Sequence, residues 1–383
     1  MKSVFTQHMY TGHDTREDVY LNFSDTSVAG ISKKAGGNVI GRYPTVTPAF
    51  VDPHSHIGLV RSGEPEQEAE GNEKMASMMV LSDALDALQM DDSAFQDAIE
   101  MGVLYSCIMP GSGNIIGGRS AVIRRFAEHS SQALVARAGI KAAFGYNPTS
   151  TLEWKGDRPS TRLGAVGMLR EKLADVSQKL DRYRTATSRK KQEITFSASE
   201  KWLRALLEGR ERLRVHVHKI DDIAALLRLI DEFSLDVTVE HAMDVHRPEI
   251  FRDLKQRKIP VIYGPIDLFA YKVELKHENW RNIHHLMASG VDIGLMTDHP
   301  VVPARNLLIQ TRWFLRNGWA RQAAVELVSQ KNAEILGIDD RVGSLRRGRW
   351  ASFVCWNGDP FDLSSYPVAV YGEGRLLYEA DSG

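Results

Sequence analysis

The chain has 383 residues, 43% hydrophobic and 25% charged, and its 48 basic and 49 acidic side chains nearly cancel to −1. This composition excludes a disordered or fibrous chain, and the near-zero charge gives no electrostatic ground for a nucleic acid or an anionic membrane as partner. Two cysteines, Cys107 and Cys355, cannot build a disulfide framework. The opening MKSVFTQHMY lacks the apolar run of a signal peptide, and no apolar stretch of membrane-spanning length occurs, so the expectation is a cytoplasmic, unanchored chain.

In chain order, EDVYLNF and NVIGRYP are short β-like pieces, and TPAFVDP (residues 47–53) is the first long apolar run, followed by His54, Ser55 and His56. Residues two apart on a strand share a side, so this HxH turns two imidazoles to one point, a metal-ligand arrangement; two surface histidines in a loop is the other reading at this stage. The acidic stretch EPEQEAEGNE (64–73) reads as a solvated loop. Amphipathic residues 94–101 precede a buried strand, VLYSCI (103–108), which runs into PGSGNIIGG. That Gly- and Asn-rich stretch is expected to be a compact loop, with Asn114, Gly117 and Gly118 either approaching a substrate or making a tight turn. It lacks the spacing of a phosphate-binding loop, which excludes that class.

The next strand, AGIKAAFG (138–145), ends before Pro148 and carries Lys141 inside its apolar run. A buried lysine needs a partner or a shifted pKa, so Lys141 is either a bridging, carbamylated group or a stem packed in the core. From about Thr161 to Gly209 the chain reads as charged, solvated helix without the aromatic interleaving of a nucleic-acid surface.

From Leu213 the pattern becomes regular. LRVHVHK places His216 and His218 on one face; a helix follows, with Asp221 and Asp222 as caps and apolar residues through Phe233; LDVTV then ends in Glu240 and His241. Residues 248–258 form a further helix, IPVIYGP a strand, residues 280–288 a helix, and VDIGLMT a strand ending at Asp298 and His299. Residues 306–316 and 322–336 are closing helices, and ASFVCW, PVAVYGEG and RLLYE are terminal β pieces. Repeated β–α units indicate a parallel α/β fold. Seven strands are recognisable, one short of a (β/α)8 barrel, whose active sites lie at the C-terminal strand ends. Histidines from the first, middle and last strands converge on one ion only if the sheet closes, so a TIM-type barrel is expected over an open sheet.

FVDPHSHIGL, HVHKIDDI, VEHAMDVH and LMTDHPVVP, in this order, with GSGNIIGG, IKAAFGYNP and NAEILGIDDRVGSLRRGRWASFV, resemble the metal-dependent amidohydrolase superfamily, specifically its imidazolonepropionase-related branch. The resemblance runs from about Thr47 to Val354. It implies a catalytic barrel over residues 47–341 and a small β-sandwich built from residues 1–46 and 342–383. It also implies a small-molecule substrate, with self-association left open. His54 and His56 match the first-strand metal ligands, His216 the fifth-strand ligand, His241 the sixth-strand histidine and Asp298 the eighth-strand aspartate. That aspartate takes a proton from the attacking water and passes it to the leaving nitrogen, while His241 ligates or steadies the oxyanion.

Two departures stand out: Tyr146 and Ser352 occupy positions that are acidic in relatives. The loss at 146 favours one divalent ion, zinc first with manganese or iron open, and keeps Lys141 as a bridge if there are two. Asn114, His218 and His299 are candidate substrate contacts, with Lys219 and His246 as further neighbours; His129, His277, His284 and His285 receive no role. The implied activity is hydrolysis of a carbon–nitrogen bond in an amide or cyclic amide. The alternatives are a deaminase, for which Glu240 lies on the wrong face by strand alternation, and a catalytically silent scaffold.

Overall fold

The computed structural model describes residues 1–150, 156–268 and 270–380. The chain opens with β1 (Lys2–Tyr10), β2 (Thr15–Phe23), β3 (Val28–Ser32) and β4 (Asn38–Pro48). A second group follows: β5 (Phe50–Ser55), β6 (Val103–Ile108), β7 (Ile116–Arg124), β8 (Leu134–Ala143), β9 (Leu213–Val217), β10 (Val237–His241), β11 (Val261–Tyr263) and β12 (Ile293–Leu295). The chain closes with β13 (Phe353–Trp356), β14 (Pro367–Gly372) and β15 (Arg375–Glu379).

Strands β5 to β12 form an eight-stranded sheet in sequence order, the TIM-type barrel expected. The strand missing from the sequence reading is β7, which runs antiparallel to both β6 and β8. The stretch read as a compact loop is therefore the turn into β7 and its first residues. Gly118 stands there at φ 122°, and a Cβ on it would lie 2.5 Å from the Ser82 carbonyl oxygen, so only glycine lets the loop at residue 82 lie against the strand.

The first and last strands meet at a short seam. Ser55 bridges His299, the Asp298 N–H donates to the His54 carbonyl (3.1 Å), and the His56 N–H donates to the His299 carbonyl (2.9 Å). Lower down, the Asn332 amide donates to the carbonyls of Val51 (2.6 Å) and Leu295 (2.9 Å) and accepts from the Leu295 N–H (3.0 Å). One fully buried side chain thus ties β5 to β12. It sits just past a π-helical turn, Leu327–Lys331, inside the closing helix expected for this region.

The terminal strands make one continuous seven-stranded sheet, with β4 paired parallel to β1 and antiparallel to β13. It has its own core, where Phe23 packs edge-on against Phe353 (5.2 Å) and Tyr371 stacks on Phe353 (4.6 Å). Val354, Trp356 and Val370 turn to the barrel core instead.

The charged region contains a helix over Arg162–Thr185 that buries Ala165, Leu169, Leu173, Val176 and Leu180, a single stripe at three- and four-residue spacing. The Thr161 hydroxyl caps it by accepting the Gly164 N–H at 3.0 Å. In the helix Ile220–Phe233 the cap position belongs to Lys219. Asp221 and Asp222, expected as caps, lie in the first turn, where a carboxylate still favours the positive end of the helix dipole. Among the described residues no helix is long and apolar enough to cross a membrane.

Candidate metal centre

At the C-terminal mouth of the barrel, two sets of donors stand together. His54, His56 and Asp298 form one and His216, His218 and His241 the other, each with its donor atoms within 4.8 Å of one another. The His54 ring lies 4.9 Å from the His241 ring, which lies 4.3 Å from that of His216, so the sets adjoin. Strand alternation explains most of this: Asp52, His54 and His56 share one face, as do Arg214, His216 and His218.

On β10, Thr238 and Glu240 take the inward face, and His241 joins them only because its backbone leaves the strand at φ 75°. Asp298 is likewise left-handed, at φ 51°. Two non-glycine residues in this sparsely populated region mark the site as locally strained. The expectation that Glu240 points away is therefore corrected: His241, not Glu240, breaks the alternation.

The tautomers of three histidines follow from partners that can only accept. Nδ1–H of His54 donates to Glu240 (2.9 Å), that of His56 to the Met109 carbonyl (2.8 Å) and that of His241 to the Gly264 carbonyl (2.9 Å). Each Nε2 then carries a lone pair, the pattern of an imidazole held ready for a metal. His241 Nε2 is buried with no hydrogen-bond partner, as are Nδ1 of His216 and Nδ1 of His218. Orphaned ring nitrogens of this kind fit a bound divalent cation.

Beneath the donors runs a buried polar chain that the sequence reading missed. Glu240 accepts from His54 through one oxygen, and from Arg214 Nε (3.0 Å) and the Thr238 hydroxyl (2.6 Å) through the other. Arg214 also reaches the Pro53 carbonyl at 2.8 Å and Cys107 Sγ at 3.3 Å. Asp52 accepts from the Thr297 hydroxyl at 2.5 Å and faces Arg125 at 3.3 Å. The available signal was alternation itself, since Arg214 and Asp52 sit two residues before His216 and His54.

Lys141, wholly buried near the end of β8, places Nζ 3.2 Å from His54 Nε2. Burial lowers its pKa to about 8. Burial also drives His54, His216, His218 and His241 well below the usual histidine value and brings His299 to about 4. For Asp298 burial works against ionisation, but neighbouring positive charge, Lys141 among it, outweighs it and holds the carboxyl at about 2. Asp298 Oδ1 stands 3.2 Å from His56 Nε2 and 3.4 Å from His54 Nε2.

The remaining sequence candidates divide. His218 lines a small cavity with His241, Tyr271, Lys272, Glu278 and Asp298. His299 sits on the barrel seam, where its Nδ1 accepts the Ala304 N–H at 3.3 Å while Nε2 is buried without a partner. Asn114 stands apart from them, where its amide donates to the carbonyls of Glu73 (2.9 Å) and Ala76 (2.8 Å), a staple between two loops. Tyr146 is 42% exposed, and what it offers is its N–H, which donates to Glu274 at 2.9 Å. Buried Glu274 brings a carboxylate 3.4 Å from His216 Nε2 and pairs with Lys272 at 2.7 Å.

Comparison with known proteins agrees with this geometry. The chain is similar to the amidohydrolase tasK of Hapsidospora irregularis, 25% identical over an alignment 356 residues long that covers 87% of this chain and 36% of that protein. The chain thus spans about a third of that relative's length. An amidohydrolase from Thermotoga maritima MSB8, 29% identical, superposes over 99% of this chain and 100% of its own with a TM-score of 0.90. The ochratoxinase of A. niger, at 15% identity and a TM-score of 0.60 over 100% of this chain and 96% of its own, shares the fold. The model of the amidohydrolase family matches residues 45–376, which take in both donor sets and every barrel strand, and the chain belongs to that family.

Proposed function

We propose that this chain is a metal-dependent hydrolase that cleaves the carbon–nitrogen bond of an amide or cyclic amide in a small molecule, within the imidazolonepropionase-related branch of the family. The observation that carries the reading is the pair of donor sets facing each other beside Lys141 at the barrel mouth. His54, His56 and Asp298 would hold one divalent ion and His216 and His241 a second, with Lys141, as its carbamate, between them. Zinc suits these donors, and manganese or iron share the same ligand chemistry. The expectation of a single ion rested on Tyr146; Glu274, 3.4 Å from His216 Nε2, would instead hold that ring with Nδ1 turned towards a second ion.

A divalent cation bound here brings the pKa of water towards about 7 and polarises a carbonyl. Asp298, ionised at any working pH, is the base that takes the proton from the attacking water and the acid that returns it to the leaving nitrogen. His241 offers a lone pair at Nε2 and no proton, which favours a ligand over an oxyanion donor. His218 and His299 are the substrate contacts in this reading. Glu240, engaged by His54, Arg214 and Thr238, has no free oxygen with which to protonate a ring, which disfavours the deaminase alternative.

Elemental analysis of the wild type and of a His54→Ala, His56→Ala double variant tests the proposal, together with a screen of lactams, hydantoins, N-acyl amino acids and dipeptides. A loss of one or two equivalents of metal in the variant, together with loss of hydrolysis, is expected. A wild type that stays metal-free after incubation with zinc and manganese would overturn the mechanism in favour of the silent scaffold.

A further inference from the structure

Outside the central donors, a third group of metal-binding side chains is drawn together by the fold. Asp244 and His246 stand in the loop after β10, and His277 follows a 3-10 turn at Val273–Leu275. None belongs to either central set. We propose that Asp244, His246 and His277 form a peripheral site for a divalent transition-metal ion, zinc by preference, that pins the 272–278 segment to the barrel rim.

The arrangement is largely built. Asp244 is 2% exposed, and its Oδ1 accepts the backbone N–H of His277 at 2.5 Å while Oδ2 lies 3.3 Å from His277 Nδ1. His246 Nδ1–H donates to the Asp244 carbonyl at 2.9 Å, which fixes the tautomer and leaves a lone pair on Nε2. The two rings face each other at 4.2 Å with a tilt of 38°. One donor atom from each residue lies within 4.8 Å of the others. Ligands of a tetrahedral zinc ion stand about 3.4 Å apart, so closure needs only a shift of order 1 Å. His277, with 45% of its side chain exposed, is free to make that shift. Two imidazoles and one carboxylate select zinc, cobalt or nickel over magnesium or calcium, which prefer oxygen alone.

The position gives the ion a consequence. Lys272, Leu275 and Glu278, on the segment that carries His277, line the central cavity, as does Met243 beside Asp244. An ion held by Asp244, His246 and His277 therefore fastens one wall of the cavity to the loop after β10, and orders side chains that meet the substrate without touching the reacting atoms.

Equilibrium dialysis against zinc alone tests this, with wild type, His246→Gln, His277→Gln, the His54→Ala, His56→Ala variant, and that variant carrying His277→Gln. Wild type is expected to hold one equivalent more than either glutamine variant, and the same difference should appear in the His54→Ala, His56→Ala background. That second comparison does not depend on the central centre or on the proposed activity. Zinc uptake that His277→Gln leaves unchanged in both backgrounds would overturn the site.

Discussion

His241 and Asp298 hold left-handed backbone at φ 75° and 51°, a conformation that costs a non-glycine residue about 1–3 kcal/mol and persists only where its surroundings enforce it. The His241 ring is held by its bond to the Gly264 carbonyl. Beneath it, Glu240 fixes the tautomer of His54, so Glu240→Gln should weaken metal retention by roughly 10–100-fold, the usual loss when a carboxylate behind a ligand histidine is removed. Dialysis against a graded chelator series measures this, and unchanged retention would show that His54 does not depend on Glu240. Asp298→Asn should leave the fold intact and lower kcat by about 10²–10⁴ on whichever amide the screen returns; a variant as fast as wild type would remove Asp298 from proton transfer. At this scale the HxH pairs were legible because alternation on a strand is regular, and the eighth-strand aspartate through its motif. Glu240 was misread because the residue after it departs from the alternation, and the partners of the Asn114 amide, carbonyls at Glu73 and Ala76 some forty positions away, lie outside any local window.

At the level of elements, the seam between β5 and β12 rests on few backbone bonds, and Asn332 supplies three more from a helix. Asn332→Ala strips partners from two buried carbonyls and a buried N–H, each costing about 1–3 kcal/mol, so the thermal midpoint should fall by several degrees. A midpoint within a degree of wild type would mean that water replaces the amide. Most barrel strands were readable as apolar runs ending in polar residues. β7 was not, because its second and third residues are glycines and Arg119 and Ser120 follow them, a composition that local rules assign to a turn. Its pairing on both sides comes from long-range partners that no local window contains.

For the molecule as a whole, the buried histidines set the response to acid. Each has a folded pKa below its unfolded value near 6.5, so the unfolded chain binds more protons as pH falls, and the stability present above pH 6.5 is lost as pH drops through the folded values. For His299 the window runs from 6.5 to about 4, at a slope of about 1.4 kcal/mol per pH unit. Urea midpoints should therefore decline steadily over that interval; a flat profile would require these rings to be protonated in the fold. The proposed ligands come from β5, β9, β10 and the end of β12, so a bound ion would also hold the seam closed. Chelation should then lower the thermal midpoint, with about 4 kcal/mol lost where the metal stood at a thousand times its Kd.

The pairing of β4 with β13 has a consequence in time. β4 ends at Pro48 and its partner begins at Phe353, so on the ribosome one edge of the first four strands waits for some 300 further residues. At about 5–20 residues per second that is roughly 15–60 s during which an eleven-residue strand presents unpaired N–H and carbonyl groups and the apolar face of Val46 to the cell. The sheet cannot close in that interval, which leaves the newborn chain with an open strand edge that the finished protein covers with β13.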